Sequence, residues 1–171
     1  MSDRAQSLPG VTALILALIT TGLLAGLFYA YSVSVMIALG KFDDKTFVEV
    51  MNKINVVIVN PVFMLSFLGS VGFSIIAGLF FLRSDMRSVL IWIGIGAALN
   101  IISLVVSGGF NIPLNNAMAV ANDATGPIDY AGLREAFESS WVTWNIVRGL
   151  FNTAAIGALG WALVQYGRLT A

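Results

Sequence analysis

The stretch Trp141-Val-Thr-Trp144-Asn145-Ile-Val-Arg148 holds the densest set of groups able to bind or polarise another molecule. A guanidinium stays protonated at any accessible pH, indole rings offer flat apolar faces, and a carboxamide both donates and accepts hydrogen bonds. Offsets of seven, four and three from Arg148 put Trp141, Trp144 and Asn145 on one face of a helix. No Asp or Glu falls inside the apolar segments. Arg148 therefore has four kinds of partner open to it. These are a loop carboxylate such as Glu138 or Glu135, amide and carbonyl oxygens, lipid phosphate, or an anionic, enolate-like ligand. A charge at the centre of a bilayer costs at least ~2.5–3.5 kcal/mol, so some partner is required.

More polar groups gather at the same level of the chain. Tyr29 and Tyr31 end the first apolar run, Asn52, Asn55 and Asn60 precede the second, Asn100 lies in the outer half of the third, and Asn111 and Asn115 follow just beyond it. Amides and aromatics converging on an apolar interior describe a lined pocket. Two plainer roles compete. Tyr and Trp populate the interfacial belt of any membrane protein, and Asn side chains join helices to one another. The sequence has no Cys and no His. That excludes disulfides and thiolate chemistry, and removes the commonest metal ligand and general base. No metal site is expected, and Glu138, Glu135, a tyrosine or water remain as bases.

The elements that must position these groups are apolar helices. Apolar residues make up 58% of the 171 and charged residues only 11%, less than half the roughly 25% of a soluble domain. Four runs are long enough to cross the ~30 Å hydrocarbon core: Val11–Ala38, Pro61–Leu82, Val89–Ser107 and Trp141–Tyr166. The expected fold is an all-α, single-domain, integral membrane four-helix bundle over residues 1–171. The run from Val11 exceeds the h-region of a signal peptide and reads as a retained span after Arg4. An amphipathic lead-in over about 46–60 should precede the second span, with Pro61 kinking the helix there. The three- and four-residue spacing of Leu133, Phe137, Trp141, Trp144 and Arg148, begun behind Asp129 as N-cap, predicts a fourth helix that outruns the bilayer. Small residues (Gly22, Ala25, Gly26 and Ala30, then Ala154 and Ala158) predict close helix contacts. Basic residues are densest around the 83–87 hairpin, placing both termini in the cytoplasm of a multi-pass cell-membrane protein. The helices then extend beyond the bilayer on the non-cytoplasmic side. Asn122 and Asp123 belong to the loop before the fourth helix. Zero net charge gives no attraction to nucleic acid.

Tyr29-Ala-Tyr31-Ser32 after Ala25-Gly26, Asn55 with Asn60-Pro61-Val-Phe63, Asn111-Ile-Pro113-Leu-Asn115 and Trp141-Val-Thr-Trp144-Asn145-Ile-Val-Arg148 together resemble the anthrone oxygenase family of membrane proteins. The resemblance implies a four-helix membrane protein, some of whose fungal relatives oxidise an anthrone to an anthraquinone with dioxygen and no evident metal or flavin. By the same resemblance Trp141 and Trp144 would stack a substrate, and Arg148, Asn145, Asn111 and Asn115 would hold its oxyanion. Arg148, Asn145 and Glu138 are the catalytic candidates. Trp141, Trp144, Asn111, Asn115, Asn60, Asn55, Tyr29, Tyr31 and Asn100 are the binding candidates. The expected function is an outward-facing pocket for a small hydrophobic, aromatic or quinone-like molecule, in an oxidoreductase that needs no cofactor. The alternative is a non-enzymatic membrane protein whose Asn/Trp/Arg cluster is structural or binds lipid or a partner protein. Membrane lipid and the small ligand are the expected partners, and a homo-oligomer is open.

Overall fold

The computed structural model describes residues 2–82, 84–120 and 125–171, with side chains from Leu8 onward apart from that of Ser84. Arg83, Asn122, Asp123 and the side chains of Asp3 and Arg4 lie outside the described residues. In chain order the helices are α1 (Ser2–Ala30), α2 (Met36–Leu39), α3 (Asp44–Ile58), α4 (Pro61–Phe80), α5 (Arg87–Val106), α6 (Ile112–Ala119) and α7 (Tyr130–Thr170). A π-helical turn, Tyr31–Val35, runs α1 into α2, and a second, Ser107–Asn111, runs α5 into α6. The result is four rods, Leu8–Leu39, Pro61–Phe80, Arg87–Ala119 and Tyr130–Thr170, each long and apolar enough to cross a membrane. The protein is an all-α membrane bundle. Its rods form a ring in which α1 packs on α4 and α7, and α5 packs on the same two from the other side.

The bundle has two apolar cores. Near the chain termini Leu14, Ala17, Ala77, Phe81, Ile93 and Leu159 fill the space between rods. At the far end the rods continue past the bilayer thickness. The 41 residues of α7 make a rod of about 60 Å at 1.5 Å per residue, twice the ~30 Å hydrocarbon core. The amphipathic α3 lies across these protruding ends and buries Phe47, Val48 and Met51 against Met36, Leu39, Met118 and Phe137. Asp43 caps α3, and its bonds from the hydroxyl and amide of Thr46 hold its carboxyl below the usual carboxylate range. The carboxylate of Asp129 accepts from the amide of Gly132 and starts α7.

Three local expectations are corrected. Pro61 breaks the chain into two helices and does not kink one. Val59 leaves helical geometry, Asn60 is extended, and the Asn60 carboxamide caps α4 by accepting from the amides of Val62 and Phe63. Proline is favoured there because the first turn of a helix leaves that N–H unused. The third rod does not end near Ser107. Pro113 sits just after the π turn, whose bond from the Ile112 amide back to the Ser107 carbonyl spans five residues. The wider turn carries the helix past a residue that lacks an N–H.

The small-residue stripes are also misplaced. Ala25 and Ala158 are buried, but Ala30 and Ala154 are exposed, and a Cβ at Gly22 or Gly26 would meet nothing within 4 Å. Close approaches occur instead at Gly10 of α1, where a Cβ would lie 2.8 Å from Cβ of Phe80, and at Gly96 of α5, where it would lie 2.7 Å from the Cγ and Cδ2 of Leu159. Gly96→Val should therefore cost about 1–3 kcal/mol by overpacking. A thermal-unfolding scan in detergent should show that loss for Gly96→Val and none for Gly26→Ala. Equal behaviour of the two variants would mean that the Gly96 contact does not limit the packing of α5 on α7.

Candidate functional site

A cavity of about 290 Å³ opens between the upper parts of the four rods and the underside of α3. Its aromatic walls are Phe28 and Tyr31 from the first rod, Phe63 and Phe67 from α4, and Trp141 from α7. Leu27, Ile54, Ile58, Val59, Met64 and Ile112 complete the apolar lining, and Asn55, Ser107, Asn115 and Arg148 supply its polar groups. The volume stands at the low end of small-molecule sites.

Arg148 is 9% exposed. Its Nε and Nη2 donate to Oδ1 of Asn145 (3.2 and 2.8 Å) and its Nη1 to Oγ of Ser107 (3.3 Å). The guanidinium carbon lies 4.0 Å from the ring centroid of Phe28 and 5.4 Å from that of Trp141. Cation–π contact of this kind is worth most where water is scarce. Among the described residues no carboxylate pairs with it. Asn145 is the support: its Nδ2 donates to the carbonyl of Phe28 (2.7 Å) and to Oγ of Ser32 (2.8 Å). Phe28 lies just before the first π turn and Ser32 within it. One carboxamide thus ties the guanidinium of α7 to the first rod.

Trp141 is held equally firmly. Its indole N–H donates to Oδ1 of Asn115 (2.8 Å), its carbonyl accepts from Nδ2 of Asn111 (3.1 Å), and its ring stacks on Phe137 at 5.8 Å and 24°. Tyr31 lies 5.8 Å from it at a tilt of 50°. Asn111, at the end of the second π turn, is fully buried, and its Oδ1 has no hydrogen-bond partner.

Of the sequence-predicted residues, Arg148, Trp141, Tyr31, Asn55 and Asn115 meet on the cavity wall, and Asn145 and Asn111 stand directly behind it. Five others lie elsewhere. Tyr29 is 68% exposed on the outer surface. Trp144 stacks on Phe110 at 3.6 Å, outside the lining. Asn60 is taken up by its cap. Oε2 of Glu138 accepts from Nε of Arg134 (2.7 Å), whose other nitrogens bond Asp44 and the carbonyls of Gly40 and Phe42. That clasp straps the α2–α3 turn to α7 and keeps Glu138 out of the cavity.

Asn100 sits deeper, in a polar knot. Its Nδ2 donates to Oγ1 of Thr21 and the carbonyl of Ser70, and its Oδ1 accepts from Nδ2 of Asn152. Ser103 continues the knot, donating to Oδ1 of Asn152 and to the carbonyl of Arg148. Sequence reasoning missed Phe28, Phe63, Phe67 and Ser107 as lining, and Asn152 altogether. A signal existed for two of these: Phe28 is three residues before Tyr31, and Asn152 four after Arg148, spacings that share a helix face.

A family model described as anthrone oxygenase matches residues 61–158, more than half of the chain. The match takes in Trp141, Asn145, Arg148, Asn111 and Asn115, while Tyr31 and Asn55 fall outside it. No curated protein and no solved structure matches the chain.

Proposed function

The chain belongs to the anthrone oxygenase family, and from that premise we propose that its cavity binds a small flat aromatic or quinone-like molecule and sets a negative oxygen of it against Arg148. One observation carries this reading: a buried guanidinium with no carboxylate partner among the described residues stands on the wall of a mostly apolar cavity. A cation in that setting stabilises negative charge far more than it would in water.

The reaction that suits it is oxidation of an acidic CH2 flanked by aromatic rings. Loss of one proton gives an enolate whose oxygen faces the guanidinium. The carbanion carbon bonds to dioxygen, and with the proton returned the product is a hydroperoxide. Cleavage of its O–O bond, with loss of the second C–H proton, leaves a carbonyl and releases water. Dioxygen is the oxidant, one oxygen atom staying in the product and one leaving as water. Among the described residues no carboxylate lines the cavity, so ionisation depends on Arg148 lowering the enolate's energy, with the Tyr31 hydroxyl on the wall relaying the proton to water.

The competing reading, a structural cluster, draws on Asn145 bridging α7 to the first rod. Oxygen uptake separates the two. Purified protein with a model anthrone should consume dioxygen faster than a detergent blank and faster than Arg148→Met. Equal rates in all three samples would favour the structural cluster.

A further inference from the structure

Asn55 is the part of the cavity that the proposed chemistry does not use. It stands on α3, four residues after the buried Met51, and so faces inward with it. Ile54, Ile58 and Val59 surround it on the lining. Its Nδ2 is shielded from solvent and has no hydrogen-bond partner. A buried donor left unpaired costs about 1–3 kcal/mol. Leucine is nearly isosteric and would avoid the penalty altogether. A carboxamide held open in an apolar wall is complementary to one thing, an acceptor oxygen carried by whatever fills the space. That oxygen must itself be easy to strip of water, which favours a carbonyl over a carboxylate or a hydroxyl.

Arg148 requires a second, different oxygen. It lies on α7, its wall carries the cation, and its existing partners are neutral. We infer that the cavity selects a ligand with two kinds of oxygen, an ionised one facing Arg148 and a carbonyl accepting from Nδ2 of Asn55, so that Asn55 is the residue that reads the carbonyl. This rests on the reading of the cavity as a binding site. The aromatic walls of Phe28, Tyr31, Phe63, Phe67 and Trp141 add the requirement that the two oxygens sit on a flat ring system.

Three probes of similar size isolate the two contacts in the full-length protein in detergent. Lawsone, a hydroxynaphthoquinone, carries an ionised oxygen at neutral pH together with carbonyls; naphthoquinone carries carbonyls only; naphthalene carries neither. Asn55→Leu should weaken lawsone and naphthoquinone about tenfold and leave naphthalene unchanged or tighter. Asn55→Asp, which offers acceptors where a donor is needed, should weaken both quinones further. Arg148→Met should lose the preference for lawsone over naphthoquinone. Monodispersity and thermal unfolding check each variant, and Asn55→Ala repeats the test if the leucine variant folds poorly. Quinone affinities unchanged by Asn55→Leu overturn the assignment of Asn55 while leaving the cavity a binding site. Failure of all three probes to bind the unmodified protein overturns the binding site, and the role of Asn55 with it.

Discussion

Arg148→Met is expected to lower affinity for an anionic aromatic ligand such as lawsone by about 3 kcal/mol, roughly a hundredfold, while the unliganded protein keeps its resistance to heat. Opposite behaviour of binding and stability is the signature of a charge kept for a ligand. The bound state loses charge-assisted contact in a place that excludes water, where such contact is strongest. The free state both gains and loses. Methionine removes a desolvated cation, which stabilises. It also leaves Oδ1 of Asn145 without the donors it now has, which costs about 1–3 kcal/mol. The flexible thioether keeps the contact with Phe28 and Trp141, so packing is little disturbed, as it would not be with alanine. Titration calorimetry and a thermal scan on the same preparation read both quantities. Collapse of stability together with unchanged ligand affinity would make Arg148 a pin between helices, and the pocket would lose its organising charge.

How much of this was legible in the sequence depends on the length scale. Four rods, the amphipathic α3 and the long α7 can be read from apolar runs and spacing, because a membrane enforces helices wherever a run is apolar for about 20 residues. Depth was legible too, since residue number along a rod converts directly into height. The face each side chain takes was legible only in part. On α7, Phe137, Trp141, Asn145, Arg148 and Asn152 are all buried and share one stripe. Trp144, about 60° off that stripe at 100° per residue, turns out to Phe110. On the first and third rods each π turn adds a residue within one turn and rotates the helix beyond it. Tyr29 needs no such turn to miss the site: two residues before Tyr31, it points about 160° away at 100° per residue, onto the outer surface. Asn60 and Glu138 show a different limit. Asn60 was assigned to the ligand by its height and Glu138 as one of the few bases left without His, and each is occupied by a local partner, the amides of α4 in one case and Arg134 in the other. Composition cannot show which polar groups are already satisfied.

Asn100 makes the sharpest contrast with Arg148, because the two should fail in opposite ways. Asn100 bonds three other rods at once: Thr21 on α1 at 2.9 Å, the carbonyl of Ser70 on α4 at 3.1 Å and Asn152 on α7 at 2.9 Å. Both of its N–H groups are used, its oxygen already accepts from Asn152, and the residue is 1% exposed. Each interhelical bond in a membrane is worth about 0.6 kcal/mol on average, and orphaning Nδ2 of Asn152 adds about 1–3 kcal/mol. Asn100→Leu should therefore destabilise the bundle by about 3 kcal/mol, read as a lower unfolding temperature in detergent. The folded fraction should still bind lawsone, since Arg148 keeps Asn145 and Ser107. Adding Asn152→Leu should recover part of the loss, because two apolar groups facing each other leave less unpaired than one amide facing a methyl. Full stability in Asn100→Leu would show that the knot does not hold the rods together. A ligand affinity that falls as far as in Arg148→Met would move Asn100 from the frame of the site into the site itself.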